Sequence, residues 1–410
     1  MTSTPSAVER PIDTWLAAHG EGLIALRRNL HAHPELSGEE YATTDLVYER
    51  LHLAGLSPVR LTSGTGLVCD IDAGEVAGPI FALRADIDAL GMHDEKDVPY
   101  RSQVPGVSHA CGHDVHTAVM LGAALFFAHH RDELPGRLRM IFQPAEERVP
   151  GGALDVLADR ALDGVDGMIG FHCDPKLDVG RIGLRAGAIT SAADMARIVL
   201  TGSGGHTARP EQTVDMVTLA ATVITELPRL VAEACGGFDR VRFVFGSVHA
   251  GDAANVIPTH CELKASVRTP VPEVWDKLSD IVGRALTDLL DGSGAGFELD
   301  YTDGVPPVVN DAAMTELVRT AALGELGADA ITPAVQSWGG DDFSWFTREV
   351  PATYVRLGVH DVDNGGPRLD LHAGRFDVDE RAIDYGVRLA VATATTFFES
   401  YEHGAAPGGG

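Results

Sequence analysis

Positive charge is scarce in this chain: 32 lysines and arginines stand against 59 acidic residues among 410, a formal net charge of −27. Nucleic acid and anionic membrane both call for a cationic surface, so neither is expected as a partner. A small anionic substrate stays open, because one local arginine outweighs a distant field. Long apolar runs are missing too. The longest, about Ala118 to Ala128, is too short to span a bilayer. The stretch Met1 to Ile12 holds acid and base but no apolar core of export-signal length, and the cytoplasm is the expected compartment. Cysteine is limited to Cys69, Cys111, Cys173, Cys235 and Cys261, an odd and irregularly spaced set. That argues against a disulfide framework and for a reducing compartment. There is no G-x-S-x-G elbow and no G-x-x-x-x-G-K-[ST] loop. Gly202-Ser203-Gly204-Gly205 looks like a phosphate cradle but lacks the lysine that should follow. No internal repeat or low-complexity tract is visible.

What is present reads as α/β, and the length suits two or three domains. Helical apolar spacing covers Glu21 to Leu30, Glu40 to Leu53 and Val115 to Ala128, with Asp114 placed either to cap the last helix's first turn or to support a neighbouring ligand. Strands are expected at Ile80 to Leu83, Leu138 to Phe142 and Met168 to Phe171. Strands alternating with helices imply a mixed, mostly parallel sheet. The pattern changes from about Ser191 to Asp303. A strand at Met195 to Leu200, a helix at Val214 to Ala234 and alternation at Val241, Phe243 and Phe245 come first. Alternation at Cys261, Leu263, Ala265 and Val267, a helix at Val274 to Leu290 and a strand at Phe297 to Tyr301 follow. This β-α-β-β-α-β order is ferredoxin-like. The expected division is 12–188 and 304–402 for a catalytic domain, 189–303 for an inserted α+β domain, and 403–410 for a disordered tail. Ala312 to Leu323, Asp341 to Phe346 and Glu380 to Tyr401 read as further helices, and Tyr354 to Leu357 as a strand.

The densest chemistry lies in His109-Ala110-Cys111-Gly112-His113-Asp114-Val115-His116. A thiolate and an imidazole separated by glycine can converge on one cation at a helix start, and such donors suit zinc, manganese, nickel or cobalt. A buried cysteine beside surface histidines is the plainer alternative. Glu146-Glu147 follows the strand that stops at Gln143-Pro144, where one carboxylate could bind metal and the other move protons. A solvated acidic loop is the alternative there. Asp86 and Asp88 close an earlier strand, His172 ends the next, and His372 falls in a late loop. Ligand-type residues at three strand ends point to one face of one sheet, where α/β proteins build their sites.

With these residues assembled, the chain resembles the M20 metallopeptidase family. The likeness is greatest to its amidohydrolase branch of hippurate, N-acyl-amino-acid and indole-acetyl-amino-acid hydrolases. The motifs that carry it run nearly end to end: RRNLHAHPELS, FALRADIDAL, HACGHDVHT, FQPAEE, GFH, GSGGHTARP, ANVIP and the late LH. The resemblance implies a small-molecule amide substrate and two divalent metal ions per chain, manganese or zinc first. Their ligands would be Cys111, His113, Glu147, His172 and His372, with Cys111 as a bridging thiolate. Glu146 would be the general base and acid. Asp88 would orient a ligand, while Asp86 stands where the wider family has a histidine. The inserted domain would serve as lid and homodimer interface, with His206 and Asn255 directed at the scissile carbonyl. Arg268 would grip the substrate carboxylate.

The sequence departs from the family pattern at Glu211, at Asp341 and at Gly374, none of them a proposed ligand. The function so implied is cleavage of N-acyl amino acids. A dipeptidase or carboxypeptidase of the same fold, and a non-catalytic binding protein on this scaffold, are the alternatives.

Overall fold

The computed structural model describes residues 10–74, 78–363 and 367–402; the tail expected at 403–410 lies outside them. The described residues group into two units. One draws on Met1–Gly187, Val309–Val335 and Trp345–Gly410, the other on Ala188–Val308 and Gln336–Ser344.

The first unit is built on an eight-stranded mixed sheet. In spatial order its strands are Val59–Arg60, Leu67–Ile71, Arg137–Gln143, Ile80–Asp86, Val165–Asp178, Ala352–His360, Ile182–Leu184 and Ile331–Pro333. The middle four run parallel. All four are buried along most of their length, as expected of strands covered on both faces. Helix His113–His129 is apolar all round and buried along its length. It therefore lies inside the unit rather than on it, packed against helices Pro11–Ala32 and Arg381–Glu402. At Gly122 an added Cβ would come within 2.8 Å of both Leu23 and Val387, so only glycine admits this approach.

Three expectations need correction. Strand Val165–Asp178 does not end at His172 but continues past it, paired in parallel with Ala352–His360. Asp341 to Phe346 is not one helix: only Ser344–Thr347 is helical, and the Asp341 carboxylate instead accepts the Phe343 N–H. Val274 to Leu290 is broken into Pro272–Trp275 and Leu278–Leu290, with the stop at Asp276-Lys277.

The second unit is a four-stranded antiparallel sheet ordered Arg242–Ala250, His260–Arg268, Asp194–Thr201, Gly296–Thr302. Helices Met216–Cys235 and Leu278–Leu290 turn apolar faces (Ala220, Val223, Leu227; Val282, Leu286) onto a core that includes Ile198, Leu263 and Val267. This is the ferredoxin-like arrangement. Among the described residues no helix is long and apolar enough to cross a membrane.

Candidate metal centre

The first unit's site starts at the turn between Cys111 and helix His113–His129. Gly112 caps that helix with φ 92, a left-handed conformation that suits glycine. A Cβ there would lie 2.7 Å from Cys173 Sγ. Gly112→Ala should therefore destabilise the protein by about 1–3 kcal/mol and loosen metal retention. Thermal unfolding and metal analysis read both effects, and a variant unchanged in each removes this role. Asp114 is not the helix cap expected from its position. Its fully buried carboxylate meets Arg27 Nε and His31 Nδ1, each at 2.7 Å.

Two imidazoles have their tautomers set by the oxygens they face. His113 Nδ1 donates toward Asp88, with the backbone carbonyl at 3.0 Å and Oδ1 at 3.1 Å. His172 Nδ1 donates to the Cys173 carbonyl at 2.7 Å. Each leaves Nε2 as the nitrogen turned toward the site, the one a metal-binding imidazole would use. His172 Nε2 lies 3.6 Å from Cys111 Sγ. The other oxygen of Asp88, Oδ2, accepts the Glu147 N–H at 2.9 Å and the Ser37 hydroxyl at 2.7 Å. One buried carboxylate thus ties His113 to the acidic pair.

That pair follows a strained link. Ala145 has φ 54, unusual for a residue with a Cβ. It is held by its N–H to Glu40 Oε1 at 2.8 Å and by the Gly152 N–H to its carbonyl at 3.0 Å. His372 is also left-handed, at φ 57; its N–H reaches the Ala110 carbonyl at 2.9 Å and its Nε2 lies 3.2 Å from Glu147 Oε1.

The residues fit a divalent cation. His113 Nε2 is buried without a hydrogen-bond partner. Around it stand Asp86 Oδ2 at 3.8 Å and Glu146 Oε2 and Glu147 Oε1, each at 3.9 Å. These gaps are too long for hydrogen bonds. Two donors each about 2.0–2.3 Å from a shared cation stand about 3–4 Å apart. Donor atoms of Cys111, His113 and Glu147 lie within 4.8 Å of one another. Burial alone would lower the His113 pKa, but Asp86 and Asp88 outweigh it and hold it up to about 10, so a cation at Nε2 would displace a proton there. His172 moves the other way, well below the usual imidazole range, through burial and then the Arg356 charge. It is a neutral ligand in waiting.

Two further residues contribute whose roles the sequence alone does not assign. His116 donates from Nδ1 to Asp86 Oδ1 at 2.6 Å and accepts the Cys173 N–H on Nε2 at 2.8 Å. With both nitrogens engaged, it lies between the rings of His113 and His172, at centroid distances of 5.5 and 5.6 Å. Arg84 Nη1 donates to the other Asp86 oxygen, Oδ2, at 2.5 Å. Asp86 is thus occupied from two sides. His116 stands in the histidine-rich motif, but no spacing rule separates a ligand from a spacer.

Of the residues expected in the site, Glu146, Asp88, Cys111, His113, Glu147, His172 and His372 belong to the first unit and come together as described. His206, Asn255 and Arg268 belong to the second. There His206 pairs with Val256 in a two-stranded ribbon, and the Asn255 carbonyl accepts the Thr207 N–H at 3.3 Å, so His206 and Asn255 are near neighbours. Arg268 ends strand His260–Arg268, its Nε donating to Ser266 Oγ at 3.0 Å.

Comparison with known proteins gives a consistent family. Residues 82–396 match the model for peptidase family M20/M25/M40. An N-acetyl-L-cysteine deacetylase of Bacillus subtilis is 36% identical over 93% of this chain and 89% of its own. A putative glutamate–cysteine ligase 2-3 of Rhodococcus jostii is 44% identical over 90% of this chain, which spans only 46% of that protein's length. Among solved structures, the YXEP protein of Bacillus subtilis superposes with a TM-score of 0.82 at 32% identity, covering 93% of this chain and 99% of that one. YXEP is described as a dinuclear metal binding peptidase of the M20 family.

Proposed function

The chain belongs to peptidase family M20/M25/M40 and is a metal-dependent amidohydrolase, and from that premise we propose that it cleaves N-acyl amino acids to a carboxylic acid and a free amino acid. The observation that carries the reading is the partnerless His113 Nε2, ringed by carboxylate oxygens too distant to bond it. In this reading Cys111, His113, Glu147, His172 and His372 would hold two divalent ions. Manganese or zinc are the first expectation; nickel and cobalt also suit the donors. Cations bound there would polarise the amide carbonyl and acidify water.

The chain's own groups do the rest. Glu146 takes a proton from the attacking water onto a carboxylate oxygen and returns it to the leaving nitrogen. Asp88 keeps His113 in the tautomer that presents Nε2 and fixes the backbone of Glu147. His206 and Asn255 supply donors to the developing oxyanion, and the Arg268 fork grips the α-carboxylate of the amino acid. A homodimer through the second unit goes with this reading. Its support is strand Arg242–Ala250, an edge strand with Val244 and Val248 exposed. A cytoplasmic location fits five cysteines that are all buried thiols.

The test is hydrolysis of a panel of N-acetyl, N-benzoyl and indole-acetyl amino acids beside two dipeptides, with manganese or zinc supplied. Turnover of the acylated amino acids above the dipeptides supports the reading. Cleavage confined to dipeptides replaces it with a dipeptidase, and a metal-loaded protein that cleaves nothing overturns it.

A further inference from the structure

On the second unit's sheet, Arg242 and Arg268 are direct cross-strand partners. Partners so placed carry Cβ atoms about 4.5–5.5 Å apart on one face. The next pair, Phe243 and Val267, is buried under the helices, so the two arginines project from the opposite, open face. Like charges directly opposed destabilise a sheet unless something offsets them. The other cations of this face are offset: Arg197 and Lys264 reach Glu262 at 2.7 and 3.1 Å. Arg242 and Arg268 have no carboxylate within ion-pair distance among the described residues, in a chain with 59 acidic side chains to draw on. Both are nevertheless held in place. The Arg242 guanidinium lies 3.9 Å over the Trp338 ring. Arg268 is anchored through Nε to Ser266 Oγ and is half-buried; desolvation lowers its pKa, and the charge of Asp194, beyond ion-pair distance, offsets only part of that. A desolvated, unpaired guanidinium is costly, and a bound anion removes the cost.

Each guanidinium has its own anchor, and one fork satisfies both oxygens of one carboxylate. Two separately anchored forks therefore match two carboxylates. We propose that Arg268 and Arg242 form a double carboxylate site and that the substrates are N-acylated dicarboxylic amino acids, aspartate or glutamate. Arg268 takes the α-carboxylate and Arg242 that of the side chain. This rests on the hydrolase reading above.

N-acetyl-L-glutamate and N-acetyl-L-glutamine, nearly equal in shape, isolate the second carboxylate. The native protein should favour the glutamate compound by about tenfold to a hundredfold in kcat/KM, expressed in KM, because a site built for a polar group rejects the analogue that lacks it. Arg242→Gln should bring that ratio close to one, and Arg197→Gln should leave it alone. Calorimetric titration of the same three proteins with free L-glutamate and L-glutamine reads the site without turnover. A native protein without glutamate preference, or a preference that survives Arg242→Gln, overturns the inference and leaves the hydrolase reading standing. Glutamate binding lost in Arg242→Gln, with neither compound hydrolysed by the native protein, upholds the arginine pair and overturns the reading it rests on.

Discussion

Glu146→Gln should lower kcat by about a hundredfold to ten-thousandfold, the range a positioned general base contributes, and leave the metal content of the protein unchanged. The amide copies the carboxylate's shape but accepts no proton at the position facing His113 Nε2, 3.9 Å away. The five proposed ligands remain, so metal should still bind. Glu147→Gln gives the contrast. It removes a charged donor from the Cys111–His113–Glu147 cluster, and the loss should appear first as weaker metal binding. Metal analysis beside steady-state kinetics separates the two. A Glu146→Gln enzyme that turns over at the native rate would remove Glu146 from the mechanism.

Arg27→Met should destabilise the fold by about 3–5 kcal/mol, as expected when one partner of a buried ion pair is deleted and the other charge remains. Arg27 is 1% exposed and its Nε lies 2.7 Å from the fully buried Asp114 carboxylate. Asp377 and Glu380 stand at 3.2 and 3.3 Å, and the Tyr100 ring covers the guanidinium at 4.9 Å. Asp114 adjoins His113, so the damage should reach the metal centre. The adjacent Arg28 is a control: half-exposed and paired with Glu380, its change to Met should cost about 0–1 kcal/mol. Acid sensitivity follows with a definite sign. Burial would raise the Asp114 pKa, but Arg27 and then His31 hold it well below the ordinary 3.8. Its contribution is therefore complete above pH 3.8 and is lost as pH falls through the depressed folded value. Without Arg27 the burial remains uncompensated, and acid unfolding should begin at a higher pH. Equal denaturation curves for Arg27→Met and Arg28→Met would contradict the assignment.

The legible part of this molecule is what neighbours in sequence can carry. Cys111-Gly112-His113 and Glu146-Glu147 bring their donors together within one turn each, and the strand Ile80–Asp86 announces itself by the short apolar run Ile80 to Leu83. The βαββαβ order of the second unit is legible too, because its strands alternate on a sheet with one covered face. What stays hidden depends on long-range apposition. Nothing local says that Arg27 and His31 will meet Asp114 across more than eighty positions, or that Trp338 will lie under Arg242. Asp114 looks like a cap because it stands at a helix start, yet the cap is Gly112 and the carboxylate points into the core. Strands Ile182–Leu184 and Ile331–Pro333 are too short for any periodicity to register. His172 looks like a strand end because Cys173-Asp174-Pro175 reads as a stop, whereas the strand runs on to Asp178.

The central claim is that Cys111, His113, Glu147, His172 and His372 form a metal centre on which amide hydrolysis depends. The most direct measurement is to strip the protein with a chelator under reducing conditions, then titrate manganese or zinc while recording bound metal and turnover of an N-acyl amino acid together. The account predicts no turnover in the stripped protein, recovery as the sites fill, and saturation near two ions per chain. Turnover that persists in the metal-free protein, or a protein that takes up no metal, would contradict it.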